Sequence, residues 1–178
     1  MSAAHPQTPT SRAPGRDIPA DEMLRRTIDE LLAGRTLGSL QGIGKDHVEG
    51  LYAVAHGLYQ RERYDDARKI FMYLMVLDHY DTRFMLGLAS CLQMLQQYDK
   101  AIEYFSMASL FRLDDPRPTF HTAECLLAQG RIDEAHEALM IVTLECDEPR
   151  HQVLKQRARA MLDLLDMKAG QTAQGMPS

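Results

Sequence analysis

The chain has 178 residues, 45% of them apolar, with a formal net charge of −5 and three cysteines. That length suits one domain with tails and supplies enough apolar side chains for a core, while the acidic balance gives no overall drive toward nucleic acid. Cys91, Cys125 and Cys146 are too scattered for a disulfide framework or paired zinc ligands, so a reducing compartment is the simple reading. No run of 18 apolar residues is present and no signal-peptide pattern opens the chain, so no membrane insertion is expected.

Residues 1–19 carry Pro6, Pro9, Pro14 and Pro19 among Ser, Thr, Ala and Arg, and read as a disordered leader that cannot offset its ordering entropy. Residues 20–47 read as an N-terminal helix followed by a Gly-rich linker. Asp21 is the candidate N-cap, Leu24, Ile28, Leu31 and Leu32 fall on one helical face, and Gly34 stops the helix. That stripe can pack back on the rest of the chain or against a second copy, as a dimer helix. The Gly34, Gly38, Gly42 spacing lies in a polar segment, unlike a membrane dimer motif. Gly42-Ile43-Gly44-Lys45 is followed by Asp46 where a phosphate loop needs Ser or Thr, so no nucleotide site is expected.

A signature then recurs three times: Tyr64-Asp65-Asp66-Ala67, Tyr98-Asp99-Lys100-Ala101 and Ile132-Asp133-Glu134-Ala135, with Phe71, Phe105 and Leu139 four residues after each alanine. The period is 34 residues, that of the tetratricopeptide (TPR) repeat. The fold class is therefore all-α: three tandem TPR helix pairs at 48–81, 82–115 and 116–149 in a superhelical stack. Ala55, Ala89 and Ala123 face Ala67, Ala101 and Ala135 where the two helices of a repeat must approach closely. Asp65, Asp99 and Asp133 are expected to cap the second helices, Asp81 and Asp115 the first helices that follow, and Pro116 suits a first helical position. Residues 150–168, with Leu154, Ala158, Met161, Leu162 and Leu165 on one face, read as a C-terminal capping helix with a polar outer side, and 169–178 as a flexible tail.

Catalytic and metal motifs are missing, so neither enzyme activity nor a cofactor nor a metal is expected. His121 and Cys125 share a helical face, but Gly57, Cys91 and Cys125 occupy one repeat position 34 residues apart, where only small residues are expected to fit. The informative positions lie on the first helix of each repeat, which lines the concave side of a TPR stack. They are Glu49, Arg83 and Arg117; Tyr52, Leu86 and Phe120; His56, Ser90 and Glu124; and Tyr59, Gln93 and Leu127. The Tyr52/Leu86/Phe120 set forms an apolar track, edged by arginines, that suits an extended apolar segment of a partner. It is also open to coverage by the N-terminal helix or a second subunit. Tyr52 and His56 stand where carboxylate-clamp TPR domains use Lys and Asn, which argues against that ligand.

Leu77-Asp78-His79-Tyr80-Asp81-Thr82-Arg83-Phe84 with Leu86-Gly87-Leu88, and Pro116-Arg117 with Phe120-His121-Thr122-Ala123-Glu124-Cys125-Leu126-Leu127, resemble the class II chaperones of bacterial type III secretion. The resemblance implies a cytoplasmic bacterial chaperone of three TPRs. Such proteins hold two hydrophobic, pore-forming translocator proteins before export and capture a short segment near the translocator N-terminus in the groove. They often form a homodimer through the N-terminal helical region. Some members also act as co-activators of a transcription regulator, and a TPR adaptor of that kind is the alternative function.

Overall fold

The structure is a computed structural model that describes residues 19–145 and 148–174. The chain divides into two units, residues 1–35 and 36–178.

The first unit holds α1 (Ala20–Leu32). The helix starts one residue before the expected cap, so Asp21 and Glu22 sit in its first turn, where the helix dipole favours negative charge. At the other end the Arg35 N–H reaches back to the Glu30 carbonyl at 3.0 Å across Gly34, whose φ of +84° a side chain would resist. Leu24, Ile28 and Leu32 of the expected dimer stripe are exposed. The Leu31 side chain, the leader up to residue 18, Cys146 and residues 175–178 lie outside the described residues.

The second unit begins with a four-residue helix, α2 (Leu37–Leu40), inside the expected linker. It docks on the first repeat because Gly38 has no side chain: a Cβ there would sit 3.1 Å from the Leu77 carbonyl oxygen. Three helix pairs follow, each helix packing on the one before it: α3 (Lys45–Gln60) with α4 (Tyr64–Leu77), α5 (Thr82–Met94) with α6 (Tyr98–Phe111), and α7 (Arg117–Ala128) with α8 (Ile132–Glu145). A 3-10 turn at Pro149–His151 leads into α9 (Gln152–Gln174), which continues past the expected end at residue 168.

All six repeat alanines are fully buried, with Phe71, Phe105 and Leu139 beside them. The core falls into two clusters. One joins the first two repeats around Phe71, Phe84, Leu88 and Phe105. The other centres on Phe120, Leu139 and Val142, and Leu154, Met161, Leu162 and Leu165 of α9 pack against it, so α9 closes the end of the stack.

Three local expectations are corrected. Each second helix starts one residue earlier than expected, so Asp65, Asp99 and Asp133 stand at its second position. The caps Arg63 and Gln97 make no side-chain cap bond. Asp65 instead pairs with Arg68 and Lys69, each at 2.7 Å, and Asp99 accepts the Gln129 amide at 2.7 Å. Asp81 does cap α5, accepting the Arg83 N–H at 3.0 Å, and Asp115 accepts the Arg117 N–H at 3.1 Å, but Pro116 is the capping residue of α7, not its first helical one.

The small position at 57, 91 and 125 also divides. Cys91 and Cys125 are fully buried, and burial pushes both thiols up to about 12. Cys125 packs into the cluster of the preceding repeat, with Ala101 and Phe105. Gly57 has no repeat before it, and a Cβ there would meet nothing within 4 Å.

Candidate peptide-binding groove

The first helices α3, α5 and α7 supply most of the expected groove residues. Tyr52, His56 and Tyr59 come from α3, Arg83, Leu86 and Ser90 from α5, and Arg117 from α7, and these seven line one cavity of about 270 Å³. Two further residues complete it. Phe71, from α4, forms part of the wall, and Gly87 lets it in: a Cβ on Gly87 would sit 2.3 Å from a Phe71 ring atom. Phe71 reads from the repeat period as a core residue only. The available signal was Gly87 itself, a glycine inside a helix where Ala would be favoured.

Aromatic edges shape the apolar wall. The Tyr52 ring meets Phe71 edge-on at 6.0 Å and Phe84 at 5.9 Å, and Tyr59 meets Tyr64 edge-on at 5.3 Å. Burial raises the Tyr59 hydroxyl above its ordinary range, which keeps it a neutral donor at any ordinary pH.

Charge at the N-terminal end is organised by Arg83. Its guanidinium reaches Asp81 at 2.6 Å and Glu49, one repeat earlier, at 2.7 Å, and lies 4.9 Å from the centre of the Tyr52 ring. The hydrogen bond from Arg83 holds Glu49 below the usual carboxylate range. Glu49, expected in the groove, instead lines a neighbouring cavity of about 390 Å³ with Thr36, Gly38, Ile43 and Leu77, and Arg83 borders both cavities. Arg117 repeats the Asp81–Arg83 arrangement 34 residues on, paired to Asp115 at 2.5 Å. Burial pushes the Asp115 carboxyl up, and the hydrogen bonds from the Arg117 side chain and backbone outweigh it, so the group stays ionised below its ordinary range.

The C-terminal half departs from the expected track. Phe120 is fully buried, in the core cluster under α9, and the Arg157 guanidinium of α9 lies 4.8 Å from its ring centre. It does not line the groove: the capping helix covers the last repeat where the earlier ones are open. The apolar track thus consists of Tyr52 and Leu86, walled by Phe71. Gln93 and Glu124 are drawn into a polar hub. Glu124 accepts from Gln93 at 3.2 Å and from Arg157 at 3.2 Å, and contacts His121 Nδ1 at 2.9 Å. Burial raises the Glu124 carboxyl, but His121, Gln93 and Arg157 together bring it below the usual range. His121 stacks on Phe105 at 5.2 Å and turns to Glu124, not to Cys125. Among the described residues no cluster of His, Cys, Asp or Glu is placed to hold a metal ion.

The arrangement suits recognition of an extended chain. An apolar slot accepts a side chain, while His56, Ser90, Arg83 and Arg117 around it offer donors and acceptors that a peptide backbone needs when it leaves water.

The tetratricopeptide repeat family matches residues 48–81 and 84–110. Over 139 residues the chain is 42% identical to the low calcium response locus protein H of Yersinia pseudotuberculosis, covering 78% of this chain and 83% of that protein. The Yersinia enterocolitica type III secretion chaperone SycD, solved with a peptide of the translocator YopD, superposes with a TM-score of 0.68 at 41% identity, over 71% of this chain and 98% of SycD. SycD is also known in an alternative dimer. PcrH of Pseudomonas aeruginosa, solved with the chaperone binding region of PopD, gives a TM-score of 0.69 at 39% identity over 72% of this chain and 97% of PcrH, and PcrH is solved with that of PopB as well. The chain belongs to the class II translocator chaperones of type III secretion, the TPR family of low calcium response locus protein H, SycD and PcrH.

Proposed function

We propose that the protein is a cytoplasmic chaperone that holds two hydrophobic translocator proteins before their export, capturing an extended segment of each in the α3/α5/α7 groove. The observation that carries the reading is the slot formed by Tyr52, Phe71, Leu86 and Gly87, apolar at its base and ringed by His56, Ser90, Arg83 and Arg117. SycD and PcrH, similar over almost their whole length, are described with translocator segments, and PcrH with two different ones. One groove serving both clients in turn fits a slot that reads backbone and a single apolar anchor. Among the described residues no helix is long and apolar enough to cross a membrane, which fits a chaperone that stays in solution with its client. In the free protein the exposed Leu24, Ile28 and Leu32 of α1 supply a self-association stripe, and a homodimer is the proposed resting state.

The test is co-expression of Tyr52→Ala/Leu86→Ala with each translocator. Both residues are only partly buried, so the variant is expected to fold with unchanged circular dichroism and to lose at least ten-fold of the co-purified client. Wild-type recovery of the client from a folded variant removes the groove assignment.

A further inference from the structure

The two repeat junctions beside the groove carry opposite charge. Arg83 and Arg117 both line the slot, and each also lines a second cavity at its own junction. At the first junction the wall sets Glu49, Asp78 and Asp81 against Lys45 and Arg83. At the second, a cavity of about 280 Å³ is lined by Arg112, Asp115, Arg117, Arg150 and His151. Arg112 stands 34 residues after Asp78, so the same corner of the repeat changes sign from one junction to the next.

The basic wall keeps donors beyond its own ion pairs. Asp115, its one acid, is buried and committed to Arg117, whose Nε, Nη2 and main-chain N–H all donate to it. Arg112 meets Asp114 through Nε at 3.3 Å. Arg150 meets Glu148 through Nε at 2.6 Å and the same Asp114 through Nη2 at 3.4 Å. Neither Asp114 nor Glu148 lines the cavity. A guanidinium has five N–H donors, and the Arg112, Arg117 and Arg150 side chains are each about half exposed. His151 is the second, independent sign of a ligand. It is 9% exposed, and its buried Nε2 has no hydrogen-bond partner among the described residues. Such an atom is costly to bury and calls for a missing partner.

We propose that this cavity binds a carboxylate of the captured client segment, an Asp or Glu beside its apolar anchor. The proposal rests on the groove reading and adds a specificity element to it. The apolar track cannot continue past Leu86, because Phe120 is buried under α9. The slot instead adjoins the basic cavity through Arg117, which lines both. A carboxylate suits the wall because it accepts paired N–H groups from a guanidinium, and an anchored segment presents it at high effective concentration. The acid-rich first junction repels the same group, so the charge inversion also fixes the direction in which the segment lies.

The test uses the full chain and labelled peptides of about 20 residues tiled over the N-terminal half of each translocator, read by fluorescence anisotropy. In the tightest-binding peptide, replacing one acidic residue by its amide should weaken binding at least five-fold. Arg112→Gln/Arg150→Gln, at exposed positions, should weaken the parent peptide by a similar factor with unchanged circular dichroism, and should weaken the amide peptide no further. Arg63→Gln/Arg131→Gln, the same charge change away from the cavity, should stay within two-fold. A tightest peptide without an acidic residue, an unchanged arginine variant, or losses that simply add overturns the proposal. So does binding of inorganic phosphate that depends on Arg112 and Arg150 but leaves peptide affinity unchanged, since the cavity would then be a separate phosphate site. The groove reading fails separately: peptide retained by Tyr52→Ala/Leu86→Ala removes it, whereas loss there beside an unchanged arginine variant overturns the carboxylate site alone.

Discussion

At Gly87 a Cβ would stand 2.3 to 2.6 Å from three atoms of the Phe71 ring, so the two residues form one feature. Phe71 is almost fully buried and cannot swing aside freely. Gly87→Ala should therefore cost about 1–3 kcal/mol, the range for overpacking a filled site, although alanine is the better helix former. Urea unfolding would show this as a lower midpoint at unchanged slope; an equal or raised midpoint means that the ring has room to move. Residues divide sharply in what they disclose through sequence alone. Tyr52, Leu86, His56, Ser90 and both arginines are legible, because they share repeat positions on helices whose inner face is open. Phe120 shares the Tyr52 and Leu86 position but is buried, because the repeat period says nothing about which repeat the terminal helix covers. Phe71 is hidden for the opposite reason: it satisfies the core pattern and lines the slot as well.

Between the two helices of each repeat the chain turns through a left-handed residue, at Glu62 (φ 60°), Gln96 (φ 59°) and Gly130 (φ 74°). The positions are 34 apart, so the turn belongs to the repeat, yet only the third uses the residue suited to it. A non-glycine residue in this region costs about 1–2 kcal/mol, partly offset because glycine gives up about 0.5–1 kcal/mol more on ordering. Gly130→Ala should destabilise by about 1 kcal/mol, and Glu62→Gly should stabilise by up to about 1 kcal/mol. Both shifts are readable as changes in the unfolding midpoint, and a stabilised Gly130→Ala contradicts the assignment. At this scale the helices themselves are legible from apolar periodicity and the cap at Asp81 from its chemistry. The helix α2 is not, since four residues between glycines carry no period; the buried contact of Gly38 with Leu77 and the Thr36 hydroxyl, which accepts the Ser39 N–H, give it a reason to form.

Across the whole stack the inner face sets what the groove asks of a partner. The inner face presents an apolar slot amid His56, Ser90, Arg83 and Arg117, and suits an unfolded stretch whose backbone must be satisfied by side chains. The Glu49–Arg83–Asp81 network ties the first two repeats together at one end, and Glu124 ties the second repeat to the third and to α9 at the other. Membership of the translocator-chaperone family was legible in the junction around His79-Tyr80-Asp81 and in the Pro116–Leu127 segment, while the course of the groove past Leu86 was not, because it depends on where α9 lies. The most direct test of the groove assignment is site-specific photocrosslinking. A benzoyl-phenylalanine placed at Ser90, with each translocator co-expressed and the adduct mapped by mass spectrometry, should crosslink to one short segment near the translocator N-terminus. An adduct that maps elsewhere in the client, or none from Ser90 in a complex that still co-purifies, would contradict capture in the groove.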